Sequence, residues 1–568
     1  MKLAAILCAG LATALIAVPN APTPAGCKAL PGDATWPAES VWTAALPGAI
    51  ANPPPFGNAT RPDYVFTAYT PADVQSALAF ATRYNVRLAI INSGHDFLGR
   101  NDAASGLWLA VGNIKGVRVL DSFTPSADGA LPANYSADPV ETANVIKQAP
   151  GKQAYVTFGA GVSTQELVDA LDKSGLFPIG AATNNVKIAG GFGQTAGHAP
   201  FSSKYGLAAD NIVEYKVVTA DGKLRVANAV ANQDLFWALR GGGGGTFGVV
   251  IEATMKVFPS SKITIQRWWL KTTSANDTRS IFEPAAYMHS QFPELNAKGV
   301  QGYYYIYPTG ILASFMTTGE DAGIEKARVM WAPILAKLEM YPGVGKVIHQ
   351  YSDFATFKAY FDSTFGKRQV RDPTDPFEPE GAFPRGINRM DSRLLSASHL
   401  KSPELGAVLH DAFPFHLRNG MWRGHLVGGG QVFKGGNDTS VHPAWRKAYV
   451  HLIGTGVGGY PNITALKRLA SDSGCYSNET MWGPNYNRLY AIKKQVDPDH
   501  LFWVSPGIGA DEFEIKETRL CKSTSRDVLG IAPRVDNNNF ARNEADGYRK
   551  FPDTQAAADA SHPKGSTW

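Results

Sequence analysis

The chain has 568 residues, of which 44% are hydrophobic, and its 54 basic and 49 acidic residues give a formal net charge of +5. One hydrophobic core rarely organises more than about 250–300 residues, so this length predicts about two to four domains. The balanced charge and the absence of a basic block exclude nucleic acid or an anionic membrane surface as the main partner. The hydrophobic share excludes wholesale disorder.

The first residues have the pattern of a secretory signal peptide. Met1 and Lys2 precede an apolar run over residues 3–18, which closes at Pro19-Asn20-Ala21. The run is shorter than the ~20 residues that a membrane span needs, although a single membrane anchor is the alternative. We therefore expect residues 1–21 to be removed and the protein to be secreted, with no membrane partner.

Sequons and cysteines agree with an oxidising, glycosylating pathway. The sequence contains six N-x-Ser/Thr sequons, at Asn58, Asn134, Asn276, Asn437, Asn462 and Asn478. Cys8 leaves with the signal peptide, so Cys27, Cys475 and Cys521 remain, which predicts one disulfide and one free thiol. We pair Cys27 with Cys521, because these residues open and close the ordered-looking chain. The cysteines and histidines are scattered, without C-x-x-C or H-E-x-x-H, so we expect no metal site.

The first strand and helix signals come after a proline-rich entry. Thr70 and Pro71 predict a helix start, and Val74, Leu78 and Ala81 continue it at helical spacing. An apolar strand over residues 86–91 then leads into a small, polar loop, residues 92–100.

A second strand and helix follow over residues 154–161 and 163–174. Ser163 and Glu166 form a capping box, and Gly175 supplies the stop. A glycine loop at residues 189–193 precedes a hairpin around Asp221-Gly222.

The rest of the chain divides by composition. A glycine run over residues 241–245 precedes a strand over residues 249–258, and the region then changes to aromatic strands such as 301–307 and amphipathic helices such as 324–338. We expect one domain over residues 58–259, a substrate domain over 260–475 and a return segment over 476–521. Residues 525–568 are expected to be a poorly ordered tail.

Several glycine loops at strand ends favour a large phosphorylated cofactor. Glycine lets backbone N–H groups approach ligand oxygens. Neither G-x-G-x-x-G nor a P-loop motif is present, and the five-glycine run precedes a strand, which argues against a phosphate site at a helix N-terminus.

Four ordered blocks carry a family resemblance. Residues 91–100, 202–211, 238–248 and 482–489 resemble the berberine-bridge-enzyme-like group of the vanillyl-alcohol-oxidase superfamily, which includes fungal enzymes described as isoamyl alcohol oxidases. The resemblance spans about residues 27 to 521. It implies an α+β fold with two domains: a PCMH-type FAD-binding domain and a substrate domain of mixed sheet backed by helices.

The resemblance implies FAD attached covalently through a histidine, and His95 matches that position. A neutral imidazole is nucleophilic, and a tether prevents loss of the flavin outside the cell. Many relatives add a second bond from a cysteine in a C-P-T-V-like stretch. Thr183 stands at that position here, so we expect attachment through His95 only. Val186 matches a small β-branched residue that admits oxygen to the flavin.

The resemblance also implies a wider set of cofactor contacts. The residues expected to wrap the pyrophosphate with His95 are Ser93, Gly94, Asp96, Phe97 and Gly99. Those expected to line the isoalloxazine or adenine are Gly190, Gly191, His198, Gly248 and Val250. Asn485 and Tyr486 are expected to close over the ring. His198 has the plain alternative of a structural side chain.

Oxidation of an alcohol by hydride transfer needs a base for the hydroxyl proton, and in this superfamily the base comes from the sheet of the substrate domain. The candidates are Tyr303, Tyr305, His425 and Gln431. The tyrosines have the alternative of packing aromatics, and His425 is our first choice.

We thus expect a secreted, monomeric FAD oxidase. It would take a hydride from an alcohol-bearing carbon of a small molecule and use O2 to form H2O2. One alternative is a natural-product tailoring enzyme that performs oxidative cyclisation or desaturation at the same flavin site. A second alternative is a non-catalytic flavin-fold binding protein.

Overall fold

The computed structural model describes residues 22–52, 61–96, 98–135, 140, 142–366, 388–457, 461–462, 464–470 and 478–523. The predicted signal peptide and tail lie outside these residues, as do Asn58, Phe97 and the side chain of Asn478. No helix among the described residues is long and apolar enough to cross a membrane.

The chain begins with a small, mainly parallel sheet. Its strands are β1 (Ile50–Ala51), β2 (Tyr64–Thr67), β3 (Leu88–Ile91) and β4 (Leu107–Ala110), in the order β1-β2-β4-β3 among the described residues. The helices that accompany it are α1 (Glu39–Ala45) and α2 (Pro71–Arg83). Helix α2 begins where the sequence predicts, because Thr70 accepts a hydrogen bond from Asp73 N and Pro71 occupies the first turn.

The second sheet completes the first domain. Its described strands are β5 (Val117–Leu120), β6 (Ala154–Gly159), β7 (Leu176–Pro178), β8 (Ile212–Val218), β9 (Leu224–Asn228) and β10 (Val249–Pro259). The order is β5-β6-β10-β8-β9, and β7 also pairs with β10. The helices between these strands are α3 (Thr164–Asp172), α4 (Ser202–Tyr205), α5 (Ala208–Asn211) and α6 (Gln233–Leu239). Buried side chains of β6, α3, β8 and β10 form one core.

The third sheet forms the second domain. Its strands are β11 (Ile263–Lys271), β12 (Gln301–Tyr307), β13 (Gly310–Thr318), β14 (Ile348–Phe354), β15 (Asn388–Ser396), β16 (Arg418–Leu426) and β17 (Ala448–Val457). Their order among the described residues is β14-β11-β13-β12-β16-β17-β15. The helices of this domain are α7 (Phe282–Ala297), α8 (Ile324–Leu338), α9 (Phe357–Thr364), α10 (Ala397–Leu400), α11 (Leu405–Asp411) and α12 (Gly430–Lys434).

The two faces of the third sheet have different neighbours. Tyr304, Ile306 and Trp422 point to one face, where they pack against buried side chains of α7, α8 and α11. Tyr303 points to the opposite face and joins the core of the first domain. Alternation along the strand therefore assigns one face to helices and the other to the domain boundary.

The C-terminal segment returns to the first domain. It contains α13 (Asn478–Trp482), α14 (Tyr486–Val496), β18 (Phe513–Lys516) and β19 (Arg519–Lys522). Leu489 and Ile492 of α14 enter the core of the second sheet, while Leu501 and Phe502 enter that of the first. The sulfurs of Cys27 and Cys521 are joined in a disulfide, the pairing that the sequence suggests.

The predicted two-domain α+β fold is confirmed. The chain changes from the second to the third sheet between Pro259 and Ile263, next to the expected domain boundary. One detail is corrected: every described strand pair in the third sheet is antiparallel, so the sheet is not mixed. Strands that a helix connects, such as β11 and β12, run in the same direction, but a strand of opposite direction lies between them in the sheet, as β13 does here.

Candidate flavin and active site

The three glycine-containing loops of the first domain converge. A Cβ built on Gly190 would lie 3.0 Å from Asn92 Nδ2, and one built on Gly244 would lie 2.6 Å from the Cα of Gly191. A side chain at Gly244 would therefore separate the loops. Gly191 is exposed, with no atom within 4 Å of its built Cβ, so its backbone is open to a ligand.

His95 lies beside the loop that contains Thr183. The His95 Nε2 is 2.7 Å from Asn185 Oδ1, and Thr183 Oγ1 donates to the same amide oxygen at 3.4 Å. Burial and the nearby charge of Lys187 lower the pKa of His95, so its imidazole is neutral at pH 7. The structure thus brings together the two positions that the sequence analysis relates to flavin attachment. The contact with Asn185 was not predicted from the sequence.

Helix α3 holds this loop in place. Val186 is buried, and its carbonyl accepts hydrogen bonds from Thr164 N at 2.8 Å and Thr164 Oγ1 at 3.0 Å. Glu166 pairs with Lys115 at 2.5 Å and lies 3.7 Å from Lys187. The first turn of α3 therefore anchors the loop through backbone and charge contacts.

Asp96 shapes its own loop. Its carboxylate accepts hydrogen bonds from Leu98 N, Arg100 N and Arg100 Nε at 2.7–3.0 Å. Burial raises its pKa, but the charge and hydrogen bonds of Arg100 outweigh this and hold the pKa below its usual range. Gly94 and Gly99 both have a φ of +73°, which favours glycine, and Ser93 is half-buried between Asn92 and Gly94.

Other predicted cofactor residues lie inside the fold. Val250 is buried in β10, and a Cβ built on Gly248 would lie 2.6 Å from Val217 Cγ2. Asn485 donates to the carbonyls of Ser440 and Val441 at 3.1 and 3.2 Å. These three predicted residues thus have packing or bridging contacts within the protein.

Tyr486 begins α14 and is half-buried. Its hydroxyl accepts a hydrogen bond from Gly509 N at 3.2 Å, and burial raises its pKa to about 12. The phenol therefore stays protonated at neutral pH.

The sheet face at the domain boundary carries two rows of side chains that run across the strands. The first row contains Arg267, Ser314, Tyr303, His425, His451 and Leu394. The second row contains Trp269, Leu312, Tyr305, Arg423, Ile453 and Ser392. Three of the predicted catalytic candidates therefore lie on one face in adjacent rows, Tyr303 and His425 in the first row and Tyr305 in the second.

Gln431 has a different position. It is exposed on α12, beyond the end of β16, and α12 packs against α4. The structure places Gln431 outside the two rows of the sheet face.

Histidines gather where the first row meets the first domain. His425 Nδ1 lies 3.3 Å from Nε2 of His198, which comes from the loop before α4, and His425 pairs in register with His451. Burial lowers the pKa of His198 to about 4 and that of His451 to about 3, and burial with the neighbouring histidines holds that of His425 well below its usual value. All three rings are neutral at pH 7. His451 was not predicted from the sequence, because only strand register places it here.

Four predicted glycosylation sites fall on described, exposed residues. These are Asn134, Asn276, Asn437 and Asn462.

Two family models match the chain. One is described as an FAD binding domain and matches residues 62–228. The other, described as berberine and berberine like, matches residues 475–509. The two matches cover most of the first domain and part of the segment that returns to it.

Relatives extend the match over most of the chain. An uncharacterized FAD-linked oxidoreductase of Arthroderma benhamiae is 31% identical over 548 residues, which cover 85% of this chain and 86% of that protein. The crystal structure of a VAO-type flavoprotein from Myceliophthora thermophila C1 has a TM-score of 0.71 and 26% identity, and covers 88% of this chain and 100% of that one. A carbohydrate oxidase from Microdochium nivale shares the fold, with a TM-score of 0.60, 18% identity and coverage of 83% and 98%. Identity at this level over this length establishes membership: the chain belongs to the FAD-linked oxidoreductases of the VAO-type, berberine-bridge-enzyme-like family.

Proposed function

We propose that the protein is a secreted, monomeric FAD-dependent oxidase that oxidises an alcohol-bearing carbon, with His425 as the base and His95 as the sole covalent attachment point. The observation that carries the activity is the neutral His425, which lies 3.3 Å from His198 on the sheet face at the domain boundary. FAD accepts a hydride from such a carbon when it is bound and passes two electrons to O2.

The loop residues fit a bound flavin. Gly191 leaves its backbone open to a ligand, and Gly190 and Gly244 permit the close approach of their loops. In the tautomer in which His95 Nε2–H donates to Asn185 Oδ1, the imidazole lone pair is on Nδ1, the atom that we assign to the flavin bond. Thr183 has no thiol, so the neighbouring position supplies no second bond.

His425 is placed to accept a proton. In the tautomer in which its Nδ1–H donates to His198 Nε2, its own Nε2 carries a lone pair. That lone pair takes the substrate hydroxyl proton while the carbon loses a hydride. The alcohol thus becomes a carbonyl, and the two protons and two electrons end in H2O2.

The aromatic side chains of the sheet face support a ring-containing substrate. Tyr305 and Tyr307 stack at 6.4 Å, and Trp269 lies 5.7 Å from Tyr307. Such rings bind sugar faces and apolar polycyclic compounds alike. They therefore support both an alcohol or carbohydrate oxidase and the natural-product tailoring enzyme.

Anaerobic reduction tests the function. We expect a primary or secondary alcohol or an oligosaccharide to bleach the flavin absorbance of the purified holoenzyme, and air to restore it with one H2O2 per carbonyl formed. In the variant His425→Gln the substrate should reduce the flavin about 10²–10⁴-fold more slowly, because the substitution removes the base. His349→Ala, an exposed histidine on β14, should reduce at the parent rate.

Each other outcome selects a different function. Bleaching only by polycyclic natural products would identify a tailoring enzyme, and no bleaching by any candidate would identify a binding protein. A His425→Gln variant that reduces at the parent rate would remove His425 from the mechanism.

Acid precipitation tests the attachment. Flavin should remain in the pellet of the parent protein and be released from His95→Ala. Release from both proteins would refute the covalent bond.

A further inference from the structure

Three histidines from three separate segments meet at the domain boundary. They come from the loop before α4, from β16 and from β17, and one ring nitrogen of each lies within 4.8 Å of the others. Register fixes two of them, because His425 and His451 are opposite each other on adjacent strands. The third, His198, is brought to them by the packing of the first domain on the sheet.

The side chains around these rings are largely aromatic. The Trp445 ring is 5.9 Å from His198 and 5.5 Å from His451, and the Tyr303 ring is 4.5 Å from His425. The ring Nδ1 atoms of His198 and His451 are buried and have no hydrogen-bond partner among the described residues. Buried polar atoms are usually hydrogen-bonded, so His451 Nδ1 calls for a partner that the described residues do not supply, whereas His198 faces His425 through its other nitrogen, Nε2.

The spacing matches transition-metal coordination. In a tetrahedral zinc site, metal–nitrogen bonds of about 2.0–2.1 Å place ligand nitrogens about 3.3–3.4 Å apart. His425 Nδ1 and His198 Nε2 are 3.3 Å apart, and a ring nitrogen of His451 lies within 4.8 Å of the ring nitrogens of the other two.

We propose that His198, His425 and His451 bind one Zn²⁺ or Cu²⁺ ion. Three imidazoles without a carboxylate suit zinc and copper, whereas Mg²⁺ and Ca²⁺ require oxygen ligands. Three protein nitrogens leave a fourth coordination position open to water or to a substrate hydroxyl.

Metal binding has a consequence that rests on the proposed function. The bound ion takes a ring lone pair of His425 and fixes the ring, so His425 no longer accepts the substrate proton. The loaded enzyme should therefore oxidise its alcohol more slowly, and a chelator should restore the rate.

Direct metal analysis tests the site without substrate. Chelator-treated holoenzyme is dialysed against ZnSO4, and zinc is measured by mass spectrometry. We expect about one zinc per chain, and little binding in His451→Phe or His198→Gln. His349→Ala should retain the parent stoichiometry. Circular dichroism and flavin content show whether each variant is folded. Because two different positions are substituted, the test still works if one of the two variants does not fold.

Copper gives a spectroscopic check. With one Cu²⁺ per holoenzyme, the electron paramagnetic resonance spectrum should show coupling to imidazole nitrogens in the parent protein and lose it in His451→Phe. MgCl2 should neither bind nor displace zinc.

Substoichiometric zinc in the parent protein, or parent-like binding in folded His451→Phe and His198→Gln, would overturn the site. Loss of zinc in His349→Ala would show that zinc binds at the protein surface, and this result would also overturn the three-histidine site. These measurements use no substrate, so a failed metal site leaves the oxidase proposal intact. An enzyme that binds zinc but never bleaches with substrate would refute only the oxidase.

Discussion

Thr183 lies next to His95 but has a hydroxyl where a second flavin attachment would need a thiol. Its Oγ1 and the His95 Nε2 contact the same oxygen of Asn185, so the two positions share one neighbourhood. With the attachment proposed for His95, the number of flavin bonds depends on this single side chain.

We therefore expect Thr183→Cys to form a second flavin bond in part of the protein. Digestion and mass spectrometry should find one flavin joined to two peptides, those containing residues 95 and 183. Thr195→Cys, whose parent hydroxyl donates to Gly191 and Phe192 carbonyls, is a control that should give only the peptide with residue 95. If every molecule of the Thr183→Cys protein carried flavin on residue 95 alone, the position of residue 183 beside the flavin would be contradicted.

Gly191 and Gly244 offer a matched pair of substitutions. Gly191→Ala meets no protein atom within 4 Å, whereas a Cβ on Gly244 would lie 2.6 Å from Gly191 Cα. We expect Gly191→Ala to fold with the parent thermal midpoint but to hold less flavin, because Gly191 lies in the proposed cofactor site. Gly244→Ala should lower both quantities. Parent-like flavin content in Gly191→Ala would remove Gly191 from the cofactor site.

Single residues differ in how far the sequence alone could place them. His95 could be singled out because its neighbours in the chain form a recognisable block. His451 could not, because its role depends on register with His425, and His198 lies 227 residues from His425. Asp96 at the pyrophosphate stays a prediction, and the structure shows its carboxylate accepting from the backbone N–H and the guanidinium of Arg100.

At the scale of elements, the start of α3 connects a helix cap to the loop that contains Thr183 and Val186. Ser163 Oγ accepts from Glu166 N at 3.2 Å, Glu166 accepts from Ser163 N at 2.7 Å, and Glu166 also faces Lys187. The cap therefore orients a carboxylate that contacts the loop containing Thr183 and Val186.

Ser163→Ala should lower the free energy of unfolding by about 0.5–2 kcal/mol, because it leaves the Glu166 N–H without its capping acceptor. Urea unfolding followed by circular dichroism measures this change. Ser40→Ala, at an exposed position in the first turn of α1, should change stability by less than about 0.5 kcal/mol. Equal effects of the two substitutions would contradict a capping role.

Elements defined by local signals were predicted well. Helix α8 and strand β12 have the predicted bounds, and β8 and β9 form the hairpin expected around Asp221-Gly222. Strand direction in the third sheet was not predicted. It depends on how α7, α8 and α11 pack on one face, which is a contact between distant segments.

At the scale of the whole molecule, the two ends of the described chain are fastened together. Arg519 donates to Asp33 at 2.9 Å, close to the bond between Cys27 and Cys521. The hydrogen bond with Arg519 holds the pKa of Asp33 well below its usual range. A carboxyl with a depressed folded pKa stabilises the protein above its unfolded pKa of about 3.9, and this stability is lost as the pH falls towards the folded pKa.

Asp33→Asn should therefore lower the thermal midpoint at pH 7 and pH 5, and the difference from the parent should narrow below about pH 3.9. Asp234→Asn breaks an exposed pair with Arg488 and should have little effect at any of these pH values. If the difference in thermal midpoint between Asp33→Asn and the parent protein grew as the pH fell, the predicted direction of the pH dependence would be wrong.

The return of α14 to the first domain also sets an order for biosynthesis. The ribosome synthesises the substrate domain before Leu489, Ile492 and Phe502, which complete the cores of the first domain. The nascent chain therefore carries an unfinished cofactor domain through most of translation. We therefore expect stable flavin loading only after the last segment has emerged, and a chain that stops before residue 478 should hold no flavin.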